Sequence, residues 1–387
     1  MAATLKIRDA QVKVLQFAKQ YPVVTITGPR QSGKTTLCKM LFKHKPYVSL
    51  ESPDERQFAL SDPRGFLEKY PQGAILDEIQ RAPELLSYIQ GIVDDKPKAG
   101  FFILTGSHQF ELMNTISQSL AGRTALVTLL PFTLKEAYGK TLPKLEAVLY
   151  AGFYPRIFDK KLSPTEAMSF YFSTYIERDL RSLINVKELS TFENFMKLCV
   201  ARTGQIVNYS NLASDCGVSH NTVKHWLSIL EASYVIKLLQ PYYKNINKRV
   251  IKAPKLYFLD TGLACFLMGI HDAKQLEAHP LRGALFETLV MTEILKSRCN
   301  QALVNGLYFY RDHAGNEIDL VLDRGSALDL IEIKMGKTIH SDFFKGIHYY
   351  QKNSAQKTKA HLVYGGEAQH VQEQVQILGW KKVGAVF

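Results

Sequence analysis

The residues Gly28-Pro29-Arg30-Gln31-Ser32-Gly33-Lys34-Thr35 satisfy the pattern GxxxxGK[ST] at every position. A loop of this kind does phosphate chemistry. Glycines at its ends let the backbone curl until its N–H groups face phosphate oxygens, and the N-terminus of the following helix adds positive potential. Lys34 then reaches the β- and γ-phosphates, while the Thr35 hydroxyl ligates Mg²⁺. Gly28 through Thr36 are the residues expected to contact ATP. Asp77 and Glu78 close the apolar run Ala74-Ile75-Leu76. An acid at a strand tip suits Mg²⁺, which is the role expected of Asp77, and Glu78 is placed to orient or deprotonate the attacking water. Ser107 closes the apolar run Phe101–Leu104 and is expected to hydrogen-bond the γ-phosphate or that water.

A second chemical grouping lies near the other end of the chain, in GNEIDLVLDRGSALDLIEIKMG (Gly315–Gly336). Alternate strand residues share a face, so Glu317 pairs in direction with Asp319, and Glu332 with Lys334. The RGSA turn lets the two strands form a hairpin with Asp319 beside Glu332. Two carboxylates make a hard oxygen site for Mg²⁺ or Mn²⁺, and a lysine can orient or deprotonate water. Glu287, in FETLVMTEIL, offers a third carboxylate. A salt-bridged surface cluster is the alternative reading of the same residues.

A third grouping is polar and basic. In SNLASDCGVSHNTVKHWL, Gly217 permits a tight turn and Ser219 caps the second helix, whose apolar stripe is Val223, Leu227 and Leu230. His220, Asn221, Lys224 and His225 stay on the other face, where they suit phosphates or base edges. The stretch YYKNINKRVIKAPKLYFLD reads as the hairpin of a winged helix, with Lys244, Lys248, Arg249, Lys252 and Lys255 expected at phosphates.

These groupings need scaffolds. YPVVTIT, PYVSLES, GAILDEI, GFFILTGS and RTALVTLLPF each supply a buried strand between helical segments, which implies a parallel sheet with crossover helices. From about Thr133 to Arg202 the pattern is helical, and the last hundred residues return to α/β character. The expected division is 1–131 for a nucleotide-binding core, 132–202 for a helical lid, 203–270 for a winged helix and 271–387 for a C-terminal α/β domain. With 387 residues, several domains are expected. The 48 basic against 36 acidic residues leave a net charge of +12, which favours a polyanionic partner. Five dispersed cysteines without a CxxC pair argue against a disulfide framework or zinc site. No stretch approaches the ~18 apolar residues of a membrane span, and the N-terminus lacks a signal-peptide core. A cytoplasmic protein without a membrane partner is expected.

The order of loop, double-acid strand end and polar strand end resembles AAA+ ATPases. That resemblance implies an arginine supplied by a neighbouring subunit, for which Arg123 in SLAGR is the candidate, and hence a homo-oligomer, with a hexameric ring expected. It also suggests Arg156 as a nucleotide sensor. Glu287, Asp319, Glu332 and Lys334 resemble the restriction-endonuclease-like PD-(D/E)xK fold, although Ile318 stands where the motif has its proline. GPRQSGKTTL, AILDEIQ, FFILTGS, SLAGR, PKLYFLDTGL and LFETLV…GNEIDLVL…IEIK together resemble a family of prokaryotic AAA+ ATPases. Its members join such a core to a winged helix and a C-terminal nuclease-like domain. The resemblance implies ATP hydrolysis with Mg²⁺ and action on DNA, branched or unpaired DNA included, with cleavage or binding at the C-terminal domain. Two other readings stand: a nucleotide-dependent switch for a protein partner, and a transcription regulator reading duplex sequence through His220 to His225.

Overall fold

A computed structural model describes residues 5–107, 119–177, 189–243, 252–303 and 305–386. The five expected strands form in order of sequence: β1 (Val23–Thr27), β2 (Tyr47–Ser49), β3 (Ile75–Asp77), β4 (Phe102–Gly106) and β5 (Thr124–Thr128). They build one sheet, ordered β2-β3-β4-β1-β5, in which every pairing is parallel. Helices cover both faces of such a sheet, which is why β1, β3 and β4 are buried at every position. Parallel strands also bring their C-terminal ends to one edge. The phosphate loop after β1, Asp77 at the end of β3 and Ser107 after β4 therefore converge there.

The loop turns tightly into the helix Lys34–Leu41, with Gly33 as its left-handed N-cap at φ 92°. Gly28 has a firmer requirement. Its φ is 139°, and a Cβ there would run into the Leu129 carbonyl, so only glycine fits.

The stretch from Thr133 is helical as expected, through Leu134–Tyr138, Leu145–Ala151, Pro155–Lys160 and Pro164–Tyr171. Thr133 and Glu136 close a capping box at its start. Beyond the helix Leu189–Val200, the helices Tyr209–Cys216 and His220–Ala232 meet at Gly217, which adopts φ 66°. Ser219 caps the second by accepting from Thr222 N at 3.0 Å. The strands β6 (Gln205–Ile206), β7 (Ile236–Leu239) and β8 (Lys255–Phe258) form a small antiparallel sheet ordered β6-β8-β7.

The C-terminal region contains the helix Arg282–Asn300 and a six-stranded mixed sheet ordered β13-β14-β12-β11-β10-β9. Its members are β9 (Leu307–Arg311), β10 (Glu317–Asp323), β11 (Leu328–Lys334), β12 (Thr358–Tyr364), β13 (Gln369–Gln372) and β14 (Val375–Gly379). The β10–β11 hairpin has the expected register, with Leu320 opposite Ile331, which sets Asp319 against Glu332. The terminal β13–β14 hairpin went unanticipated, because β13 is exposed at every position and carries no hydrophobic alternation.

One apolar core runs from Leu130 to Val386 and joins the lid, the helix-turn-helix and the C-terminal sheet. The helix Arg282–Asn300 passes through it, buried on nearly all sides. Asp260 is a polar keystone of this core. Its carboxylate caps the helix Thr261–Leu267 by accepting from Leu263 N at 3.0 Å and also accepts from Phe153 N, in the lid, at 2.8 Å. Asp260→Ala would leave two buried N–H donors unpaired, at a cost of about 2–4 kcal/mol. A fall in the urea unfolding midpoint is the expected readout; an unchanged midpoint would show that neither bond contributes.

Candidate functional site

A cleft of about 440 Å³ opens at the C-terminal edge of the parallel sheet. Arg30, Gln31, Gly33, Lys34, Thr35 and Thr36 line one side of it, Asp77 and Glu78 the floor, and Arg156 of the lid the other side. The phosphate loop, the acids and the lid arginine expected from sequence are thus brought together.

Within the cleft, polar contacts fix each acid. The Thr35 hydroxyl donates to both Asp77 oxygens, at 3.1 and 3.0 Å. Tyr47 donates to Asp77 Oδ2 at 2.7 Å, and the Thr105 hydroxyl donates to Oδ1. A hydroxyl and a carboxylate held side by side beside a phosphate loop fit a Mg²⁺ ion. Glu78 adopts φ 58°, a left-handed conformation rare for a non-glycine residue and costly unless the surroundings enforce it. Its carboxylate accepts from Ser107 Oγ at 3.1 Å and from the Gln80 amide. Ser107 therefore holds the glutamate. The Lys34 ammonium is buried and donates to the Gly28 and Pro29 carbonyls at 2.9 and 2.8 Å. Burial lowers its pKa against the opposing pull of Glu78 and Asp77.

Arg8 is a member of this site that sequence reasoning missed. Its buried guanidinium donates to Ser32 O in the phosphate loop and to Leu130 O, each at 2.6 Å. It also pairs with Glu136 of the lid's capping box at 3.1 Å. No local pattern marks Arg8; Tyr47 and Thr105 at least sit on apolar strands, where a polar residue is a signal. Arg123 precedes β5 at the opposite edge of the sheet. It makes a two-pronged pair with Asp94, at 2.6 and 2.8 Å, and its side chain is 33% exposed.

On the helix His220–Ala232, Val223, Trp226, Leu227 and Leu230 are buried, while His220, Asn221, Lys224 and His225 are exposed. Tyr209 joins that face: its ring lies 5.5 Å from that of His220 and 5.7 Å from Lys224 Nζ. Lys252 is exposed, whereas Lys244, Lys248 and Arg249 fall outside the described residues. Lys255 is a correction. It was expected at phosphates, yet it is only 2% exposed, because the strand that carries it faces the interior rather than solvent.

The C-terminal acids do converge. Asp319 Oδ2 accepts from Ile333 N at 2.8 Å, and Glu332 Oε2 lies 3.4 Å from Asp319 N. Lys334 Nζ stands 3.4 Å from Asp319 and 3.7 Å from Glu332. Burial raises the Asp319 pKa, but Lys334 and Lys255 overcome it and hold the group below the usual carboxylate range. Glu332 goes well the other way, raised by burial and then by Asp319. Glu287 completes the ring but faces Lys255 Nζ at 3.2 Å and accepts from the Tyr257 hydroxyl. With an ammonium inside the ring, these side chains do not fit a divalent ion as arranged. Among the described residues, no group of three or more His, Cys, Asp or Glu is disposed to hold a metal.

Comparison with known proteins places these features. Residues 20–138 match a family described as an AAA domain, and 142–274 and 282–383 match domains of unknown function, DUF8612 and DUF4143. Among curated proteins, "Uncharacterized protein Rv2008c" of Mycobacterium tuberculosis is 31% identical over 335 residues, spanning 86% of this chain and 74% of that one. "Uncharacterized protein Mb2031c" of Mycobacterium bovis gives the same figures. Solved structures share less. The Walker-type ATPase PABY2304 of Pyrococcus abyssi is 16% identical, with 67% of this chain and 95% of that one covered and a TM-score of 0.43. The RuvB Holliday junction branch migration motor of Thermotoga maritima is 18% identical, with 59% and 88% covered and a TM-score of 0.29. Among the described residues, no helix is long and apolar enough to cross a membrane. The chain belongs to the family of these two mycobacterial proteins, and it has the fold of an AAA-type P-loop ATPase over its N-terminal third.

Proposed function

We propose that this chain hydrolyses ATP and uses the cycle to act on DNA. The observation that carries the reading is the paired arrangement in the cleft, where Thr35 meets Asp77 and Ser107 meets Glu78 beside the phosphate loop. ATP enters with its triphosphate on Gly28–Thr36 and Lys34 at the β- and γ-phosphates. Thr35 and Asp77 would hold Mg²⁺, which when bound neutralises phosphate charge and orients the nucleotide. Glu78 takes the proton of the attacking water, with Ser107 and Gln80 holding the carboxylate in line. Arg156 senses the nucleotide from the lid. Arg123 leaves Asp94 to reach the site of a neighbouring subunit in a homo-oligomer, where its charge stabilises the transition state.

The helix-turn-helix and its small sheet act as a winged helix in the cytoplasm, presenting His220, Asn221, Lys224 and His225 to DNA. Lys244, Lys248, Arg249 and Lys252 add phosphate contacts, and the net charge of +12 supports the choice of partner. The C-terminal α/β domain would bind rather than cut. Its ion-paired acids favour one further reading, a nucleotide-dependent switch whose C-terminal domain docks a protein partner. The two part on a single measurement. DNA accelerates ATP turnover in the first and leaves it unchanged in the second.

Three variants test the site. Glu78→Gln should keep ATP binding and lose turnover by about 10²- to 10⁴-fold; turnover within about twofold of the parent would remove Glu78 from the mechanism. Arg8→Ala should weaken ATP binding by about tenfold or more, because it frees the Ser32 carbonyl and strands Glu136, as a fluorescent-nucleotide titration would read. Lys224→Ala should weaken binding to duplex and junction DNA alike and reduce the dependence of log K on log salt by about one unit. Unchanged affinity and slope would argue that this face does not meet DNA.

A further inference from the structure

Lys255 sits where no solvent-seeking lysine belongs. Its side chain is 3% exposed, and its ammonium is ringed by carboxylates from another part of the fold. Glu287 stands at 3.2 Å, on the helix Arg282–Asn300, and Asp319 at 3.9 Å, on β10. Glu317, also on β10, makes a direct ion pair with it. Tyr257, two residues along β8 and on the same face, donates to Glu287. Lys334 closes the far side against Asp319 and Glu332.

Four carboxylates, Glu287, Glu317, Asp319 and Glu332, face two ammonium groups, Lys255 and Lys334, and one guanidinium, Arg311, at 3.0 Å from Glu317. A dication added to this cluster would meet Lys255 at a few ångströms in a water-poor setting, where like charges repel strongly. An ammonium, with three donors and no acceptor, also satisfies several carboxylate oxygens at once, as a metal would.

We propose that Lys255 is the resident cation of the C-terminal acid cluster: its ammonium occupies the place among Glu287, Glu317 and Asp319 that a divalent metal would otherwise take, and fastens β8 to the C-terminal sheet. This goes beyond the ATPase reading and does not depend on it. The cluster is a charge clamp between two sheets, and it becomes a metal site only when Lys255 is removed.

Manganese binding to the nucleotide-free full-length chain tests this, followed by electron paramagnetic resonance in an Asp77→Asn background that silences the nucleotide cleft. The Asp77→Asn protein should take up no Mn²⁺ that a further Asp319→Asn change removes. Asp77→Asn/Lys255→Met, confirmed as folded by circular dichroism, should gain one Mn²⁺ site at least about tenfold tighter than any in its parent. Adding Asp319→Asn should abolish that site. Asp319-dependent Mn²⁺ uptake with Lys255 in place would overturn the proposal, as would a folded Lys255→Met protein that gains no site. If Lys255→Met does not fold, the comparison with Lys255 in place decides alone.

Discussion

A charge taken out of water must be satisfied, and in this chain three buried cations, Arg8, Lys255 and Lys296, sit where separate units of the fold meet. Arg8 joins the phosphate loop to the lid through Ser32, Leu130 and Glu136. Lys255 joins β8 to β10 and the helix Arg282–Asn300. Lys296 is 1% exposed, pairs with Glu293 at 3.1 Å and stacks over the Phe153 ring at 3.6 Å, while Glu293 accepts from Leu134 N in the lid. Breaking a buried pair by removing one member costs about 3–5 kcal/mol, because the other charge is stranded. Apolar packing between units tolerates sliding and substitution. The Arg8 and Lys255 pairs and the Glu293–Leu134 hydrogen bond are directional, and each adds a fixed point to the shared core.

A buried tie also reaches the nucleotide cleft. The Tyr234 hydroxyl donates to Thr27 Oγ1 at 2.9 Å, and Thr27 is the last residue of β1, directly before Gly28. Tyr234 holds φ 57° between the helix His220–Ala232 and β7, so it has little freedom to follow a moving loop without moving its neighbours. The helix that carries the exposed basic face is therefore tied, through one buried hydroxyl pair, to the strand that presents the phosphate loop. The tie is one hydrogen bond set within the apolar core that also packs Tyr234.

Much of the nucleotide site was legible in the sequence because its parts are local. GPRQSGKT is a contiguous loop, Asp77-Glu78 ends an apolar run, and parallel strands must bring their ends to one edge. The Asp319–Glu332 juxtaposition was legible for a similar reason, since a short turn fixes the register of a hairpin. Arg8 and Lys255 were not, because their partners lie outside any local window, at Ser32, Leu130 and Glu136 for Arg8 and at Glu287, Glu317 and Asp319 for Lys255, and nothing near them in sequence carries the signal. Lys255 was actively misleading. In KRVIKAPKLYF it reads as one more basic residue of an exposed wing, and only the packing of β8 turns it inward.

The same contrast bears on the resemblance to a nuclease, if Lys255 is the resident cation we propose. Glu287, Asp319, Glu332 and Lys334 have the types and order that metal-dependent hydrolysis uses, and the fold brings them within reach of one another. What decides their chemistry is a residue outside that set. A carboxylate ring with water at its centre attracts a dication; the same ring around an ammonium is already ion-paired and holds its oxygens on N–H donors. One lysine from a neighbouring sheet thus converts a candidate catalytic centre into a joint, in which Glu287, Glu317 and Asp319 together keep its buried charge paired.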